Sequence, residues 1–92
     1  MFAKGSSKGT VRFVVKPNNG AKSAQLAGEF NNWRPATMRR QKDGSFVAEV
    51  PLKAGAYQYK FVLDGQWLAD PDNSQRVPNA YGTDNSVAHV SD

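Results

Sequence analysis

An antiparallel β-sandwich of about seven short strands is the fold this chain predicts. Three observations carry that expectation. Apolar and polar residues alternate with period 2 in several short runs, turn-forming residues recur about every 8–12 positions, and no segment has a helical period. With no cysteine in its 92 residues, the chain lacks the Cys…Trp…Cys spacing of an antibody-type domain. The expected architecture is therefore an immunoglobulin-like sandwich of another lineage, with a five-stranded barrel of the OB type as the alternative.

Residues 1–9 (MFAKGSSKG) read as a flexible tail ahead of one domain spanning residues 10–92. In residues 10–16, Val11, Phe13 and Val15 alternate with Arg12, Val14 and Lys16, the pattern of a half-buried strand that Pro17-Asn18-Asn19-Gly20 then ends. Residues 23–30 resume the alternation, with Ala24, Leu26, Gly28 and Phe30 on one face. Asn31-Asn32-Trp33-Arg34-Pro35 breaks it and leaves Trp33 in a loop. Residues 36–41 can form a short strand and Lys42-Asp43-Gly44-Ser45 a turn. Residues 46–52 form the next strand, with Phe46, Ala48, Val50 and Leu52 inward and Pro51 marking an edge or an end. After the hairpin described next come Asp70-Pro71-Asp72-Asn73, a loop through residues 74–83 punctuated by Pro78 and Gly82, and a last strand over residues 85–90.

Asp64-Gly65 between two apolar runs is the strongest hairpin signal in the chain, because a two-residue type I′ turn needs positive φ at both central positions. That turn sets Leu63 opposite Gln66, Val62 opposite Trp67 and Phe61 opposite Leu68. Tyr57, Tyr59, Phe61 and Leu63 form one row, too aromatic to remain in water, so it is the core face. Lys60, Val62 and Trp67 share the opposite, solvated face, with Lys60 diagonal to Trp67 at roughly 7–8 Å. A flat aromatic beside a cation on a sheet surface is a candidate ligand platform.

Composition narrows the function classes. Without cysteine there is neither a disulfide framework nor a thiolate metal site. His89 is the only histidine, and no Gly-x-Ser-x-Gly elbow occurs, so no triad, metal centre or cofactor site is expected. Asp64, Asp70, Asp72 and Asp84 stand where turns commonly place acids, which explains them better than a hydrolytic carboxyl pair does. No catalytic residue is expected. Residues 1–9 lack the apolar stretch of a signal peptide, no run approaches a membrane span, and a cytoplasmic location is expected. Residues 1–42 hold nine Lys or Arg against the single acid Glu29, and residues 43–92 hold three against seven. With Arg34, Arg39 and Arg40 near Trp33, single-stranded nucleic acid stands as an alternative ligand.

Four motifs occur in order: Gly28-Glu29-Phe30-Asn31-Asn32-Trp33, Tyr59 to Trp67 (YKFVLDGQW), Asp70-Pro71, and Gly82-Thr83-Asp84-Asn85-Ser86. Together they resemble the glycogen-binding domain of the AMP-activated protein kinase β-subunit, a module that also precedes the catalytic barrel of isoamylases and glycogen branching enzymes. The resemblance runs through nearly the whole chain. It implies an early-set immunoglobulin-like sandwich that binds α-1,4-linked glucans such as glycogen, starch and maltooligosaccharides. It further implies that Trp33 and Trp67 stack on glucose rings, that Lys60 and Asn85 bond hydroxyl groups, and that Thr83 contacts sugar. Where the kinase module has a leucine before Gly-Thr, this chain has Tyr81, which offers another stacking surface.

These residue types suit a sugar. The faces of a glucopyranose ring carry slightly positive C–H groups, and stacking them on an electron-rich indole removes apolar area from water. Lysine and asparagine then serve the hydroxyls at the ring edge. A glycogen- or starch-metabolising enzyme, or another protein, is the expected macromolecular partner. A degenerate module that keeps the sandwich and only contacts proteins is the remaining alternative.

Overall fold

Two antiparallel sheets face each other across an aromatic core in the computed structural model, which describes residues 1–5, 8–17 and 20–91. The strands are β1 (Phe2–Lys4), β2 (Thr10–Val15), β3 (Ala24–Gly28), β4 (Ala36–Thr37), β5 (Arg39–Arg40), β6 (Phe46–Pro51), β7 (Gly55–Leu63), β8 (Gln66–Leu68), β9 (Arg76–Pro78) and β10 (Asp84–Val90). One sheet runs β1-β2-β6-β5; the other runs β4-β3-β7-β10-β9, with β8 also on β7. This is the expected early-set sandwich. Among the described residues, no helix is long and apolar enough to cross a membrane.

The core follows from the alternation. Val11, Phe13 and Val15 of β2 pack against Leu26 of β3 and against Tyr59, Phe61 and Leu63 of β7. The Phe13 and Tyr59 rings meet edge-on with centroids 4.8 Å apart, one from each sheet. Register places Ala48 opposite Phe13 and Val50 opposite Val11, so β6 turns its expected residues inward. The hairpin pairs as the turn dictates: Leu63 with Gln66, Val62 with Trp67 and Phe61 with Leu68. Asp64 and Gly65 take φ of 48° and 84°.

β7 is the organising strand. Of its nine residues, Tyr59–Leu63 pair with β3 along one edge, while β10 and β8 share the other edge end to end. Its C-terminal half, which carries Tyr59 and Lys60, is therefore flanked by strands on both edges.

Several expectations are corrected. Phe2–Lys4, read as part of a flexible tail, is a strand paired with β2, because Phe2 sits opposite Phe13 and its ring reaches both Phe13 and Tyr59. A single aromatic in a polar stretch has no period to reveal it. Residues 36–41 form two short strands in different sheets, since Met38 turns inward at 4% exposure and its amide donates to the Ala24 carbonyl. The strand expected over residues 23–30 stops at Gly28, and Glu29–Asn31 form a 3-10 turn. The loop of residues 74–83 contains β9, where Pro78 is tolerated because the strand lies at a sheet edge. The Asn18-Asn19 part of the expected turn lies outside the described residues.

Candidate functional site

The motif from Gly28 to Trp33 is built residue by residue. A Cβ on Gly28 would stand 2.7 Å from the Gln58 carbonyl oxygen and 2.7 Å from the Phe30 ring, so only glycine allows β3 and β7 to approach this closely. Glu29 Oε1 accepts the Gln58 backbone N–H at 2.7 Å. Phe30 returns to the core against Phe13. Asn31 staples the turn to β3: its Oδ1 accepts the Gly28 amide and its Nδ2 donates to the Leu26 carbonyl. Asn32 and Trp33 then both adopt left-handed φ, 56° and 61°. That conformation is rare for a bulky residue and persists only where surrounding contacts impose it. The Trp33 amide donates to the Gly28 carbonyl at 2.9 Å, closing the loop and delivering a half-buried indole to the sheet face.

All six expected ligand residues, Trp33, Lys60, Trp67, Tyr81, Thr83 and Asn85, line one hollow of about 690 Å³. Glu29, Gln58 and Asn79 complete its lining. Trp67 is 47% exposed and Tyr81, beside Gly82 at φ 81°, is 92% exposed.

Lys60 differs from the expected solvated residue. It is only 8% exposed, and Val62 beside it on the same face is 4% exposed. The outer face of β7 is thus covered at this point rather than open. Lys60 Nζ donates to Thr83 Oγ1 at 3.1 Å, and this is its only hydrogen bond among the described residues. An ammonium has three protons, so donors remain for a ligand.

The loop opposite is cross-braced by Asn79. Its Oδ1 accepts the amides of Tyr81 and Thr83, while its Nδ2 donates to Thr83 Oγ1 and Asn85 Oδ1. Asn85 Nδ2 donates in turn to Gln58 Oε1 at 3.0 Å. Of the lining residues that sequence reasoning missed, Gln58 had a signal: it is two positions from Lys60 on β7 and must share its face. Glu29 had one too, its place in the motif that ends at Trp33; Asn79 had none, because a loop brings it in.

Three acids elsewhere, Asp70, Asp64 and Asp43, are engaged. Asp70 is fully buried; its carboxylate accepts the Tyr59 hydroxyl at 2.6 Å and pairs with the Met1 ammonium. Burial, reinforced by that hydrogen bond, pushes the Tyr59 phenol far above its ordinary pKa. Asp64 closes the hairpin onto the chain before β3: its carboxylate accepts the amides of Lys22 and Ser23, which hold its pKa below the usual carboxylate value. Ser45 does the same for Asp43, through its hydroxyl first and then its amide. Among the described residues, no three His, Cys, Asp or Glu side chains stand together to hold a metal ion.

Residues 11–92 match the family model described as the glycogen recognition site of AMP-activated protein kinase. The chain is 38% identical over 77 residues to the 5'-AMP-activated protein kinase subunit beta-2 of Homo sapiens, covering 84% of this chain and 28% of that subunit. It is 39% identical to subunit beta-1 of Sus scrofa over the same share of this chain and 62% of that sequence. The chain thus spans little more than a quarter of the beta-2 subunits it matches. Among solved structures, it resembles a maltogenic amylase from S. marinus with a TM-score of 0.74 at 24% identity, over 90% of this chain and 14% of that one. A putative alpha amylase from Salmonella typhimurium gives 0.69 at 24%, over 97% and 14%. Those two likenesses carry the sandwich fold. With the family model spanning all but the first ten residues, and with three of the four motifs meeting at one hollow, the chain belongs to the family of glycogen recognition sites of AMP-activated protein kinase.

Proposed function

We propose that this chain binds α-1,4-linked glucans in the hollow without cleaving them. The observation that carries the reading is the convergence of Trp33, from the loop after β3, and Trp67, from β8, on one hollow beside polar groups with unused hydrogen-bonding capacity. Trp33 and Trp67 stack on glucose rings, Tyr81 adds a third aromatic surface, and Lys60, Thr83 and Asn85 serve hydroxyls. Two platforms on separate elements suit a curved α-1,4 chain better than a flat β-1,4 chain. The glycogen recognition named by the family supports the same class of ligand.

The non-catalytic half of the reading rests on the carboxylates. Glycoside hydrolysis needs two of them about 5–9.5 Å apart across a cleft. Glu29 is the only acid lining the hollow among the described residues, and Asp64 and Asp70 are held elsewhere. Nucleic acid is disfavoured because none of Arg34, Arg39 and Arg40 lines the hollow. The relatives similar to this chain are named as subunits of a protein kinase, which supports a protein partner for the chain as well.

Calorimetric titration with maltoheptaose and β-cyclodextrin tests the proposal, with cellooligosaccharides alongside. A Kd between roughly 1 µM and 1 mM is expected for a shallow site with few anchors. Equal binding of cellooligosaccharides removes the α-glucan claim. Release of reducing ends over a day removes the non-catalytic one.

A further inference from the structure

We propose that Gln58 is a further glucan-contacting residue and that Asn79 decides which end of its carboxamide meets the ligand, an inference that rests on the function proposed above. Two groups in the loop cannot reverse their hydrogen-bonding role. The backbone amides of Tyr81 and Thr83 can only donate, and both donate to Asn79 Oδ1, at 2.9 and 3.2 Å. The Asn79 carboxamide is thereby oriented, with its nitrogen toward Asn85. Asn79 Nδ2 donates to Asn85 Oδ1 at 3.0 Å, which turns the Asn85 nitrogen toward Gln58. Asn85 Nδ2 then donates to Gln58 Oε1 at 3.0 Å, so the oxygen of Gln58 is turned toward Asn85 and its nitrogen points the other way.

The polarity of the whole chain of amides follows from the loop backbone. Its output is a donor. Gln58 Nε2 has no partner among the described residues, and Gln58 lines the hollow beside Lys60, which has donors of its own to spare. Glu29 supplies the complement, since one of its oxygens is bonded to the Gln58 backbone amide and the other has no partner among the described residues. Donors and one anionic acceptor at the same wall match a vicinal diol on a pyranose edge, where each hydroxyl accepts one hydrogen bond and donates another. They match an anionic group poorly, because a phosphate would face the Glu29 carboxylate.

Titration of maltoheptaose into the parent chain and four variants tests this, with melting temperature recorded for each. Gln58→Glu keeps the oxygen that Asn85 needs and removes the donor; binding about tenfold weaker at an unchanged melting temperature is expected. Asn79→Asp keeps the acceptor for the Tyr81 and Thr83 amides but draws the Asn85 nitrogen toward itself, reversing the chain and turning the Gln58 oxygen to the ligand. A similar tenfold loss is expected. Nuclear magnetic resonance supplies the readout that a merely structural role would leave alone: the Gln58 side-chain NH2 signals should move on saturation in the parent, and in Asn79→Asp should already be displaced and no longer respond. Gln58→Met should also lose about tenfold, and adding Asn79→Asp to it should cost nothing further, because the relay then has no terminus. A Gln58→Glu protein that binds within twofold of the parent overturns the Gln58 role. Losses that multiply toward a hundredfold in the double variant overturn the relay. A parent that fails to bind maltoheptaose overturns the glucan reading itself, and this inference falls with it, whereas the variant outcomes leave that reading standing.

Discussion

Tyr59 and Lys60 are consecutive on β7, both are buried, and each ends in a polar group tied into a network; the two networks differ in whether they close. Around Tyr59 the hydroxyl donates to Asp70 and accepts from Asn73, Asn73 also donates to the Val87 carbonyl, and Asp70's amide donates to Ser86 Oγ. Around Lys60 the groups run through Thr83, Asn79, Asn85 and Gln58, and stop with protons of Lys60 and Gln58 unmatched among the described residues. A closed buried network specifies a fold, since every member would be costly to leave unpaired. An open one at the wall of a hollow holds hydrogen bonds in reserve for a ligand. Burial alone does not separate the two cases; the count of unmatched donors does.

The largest expected effect lies on the closed side. Phe61→Ala, two residues along the inner row, should cost about 3–5 kcal/mol of stability, measured by urea denaturation. A cost under about 1 kcal/mol would mean that the inner row of β7 is not the core. On the open side, Trp67→Ala and Trp33→Ala should each lose about 2 kcal/mol of glucan binding, roughly 30-fold, with folding intact by circular dichroism. A Trp33→Ala chain that binds like the parent would return that indole to a purely structural role. The sharpest contrast is between neighbours. Tyr59→Phe should remove about 1–2 kcal/mol of stability and leave affinity alone, whereas Lys60→Met, which keeps the stem, should remove a similar amount of affinity and leave the melting temperature alone. If both changes act on the same property, the division between the networks fails.

The smallest effect concerns acid. Lys22 and Ser23 hold the Asp64 carboxyl below its ordinary pKa in the fold, so as pH falls the unfolded chain takes up this proton first. The stabilisation is therefore complete above about pH 4 and is lost as pH drops through the folded value. Asp64→Asn should lower stability slightly at pH 6 and flatten the decline toward pH 3; parallel melting curves across that range for both proteins would contradict it.

Legibility in the sequence followed local chemistry. The hairpin register was readable because Asp64-Gly65 admits one turn type, and register then dictated which side of β7 faced Trp67. Trp67 was found through that register, Trp33 and the Gly-Thr-x-Asn residues through motif resemblance, and the hollow brings them together. Lys60's burial was invisible because it depends on neighbouring elements covering its stem, which alternation does not encode. The splitting of residues 36–41 was hidden for a similar reason: Met38 alone signals the crossing between sheets. Asp70 is the turn acid it looked like, its Oδ1 accepting the Asp72 amide at 3.0 Å, and it is also the buried centre of the Tyr59 network, a second role that the local sequence does not show.

Every residue lining the hollow comes from the six-stranded sheet or the loops attached to it; none comes from β1, β2, β5 or β6. The sandwich is in that sense a plate with one working side. A polymer seated there leaves the outer surface of the four-stranded sheet, including the exposed Arg39, in water. A fluorophore or a surface anchor attached at that side would therefore ride with the chain on a glucan granule without standing between the two.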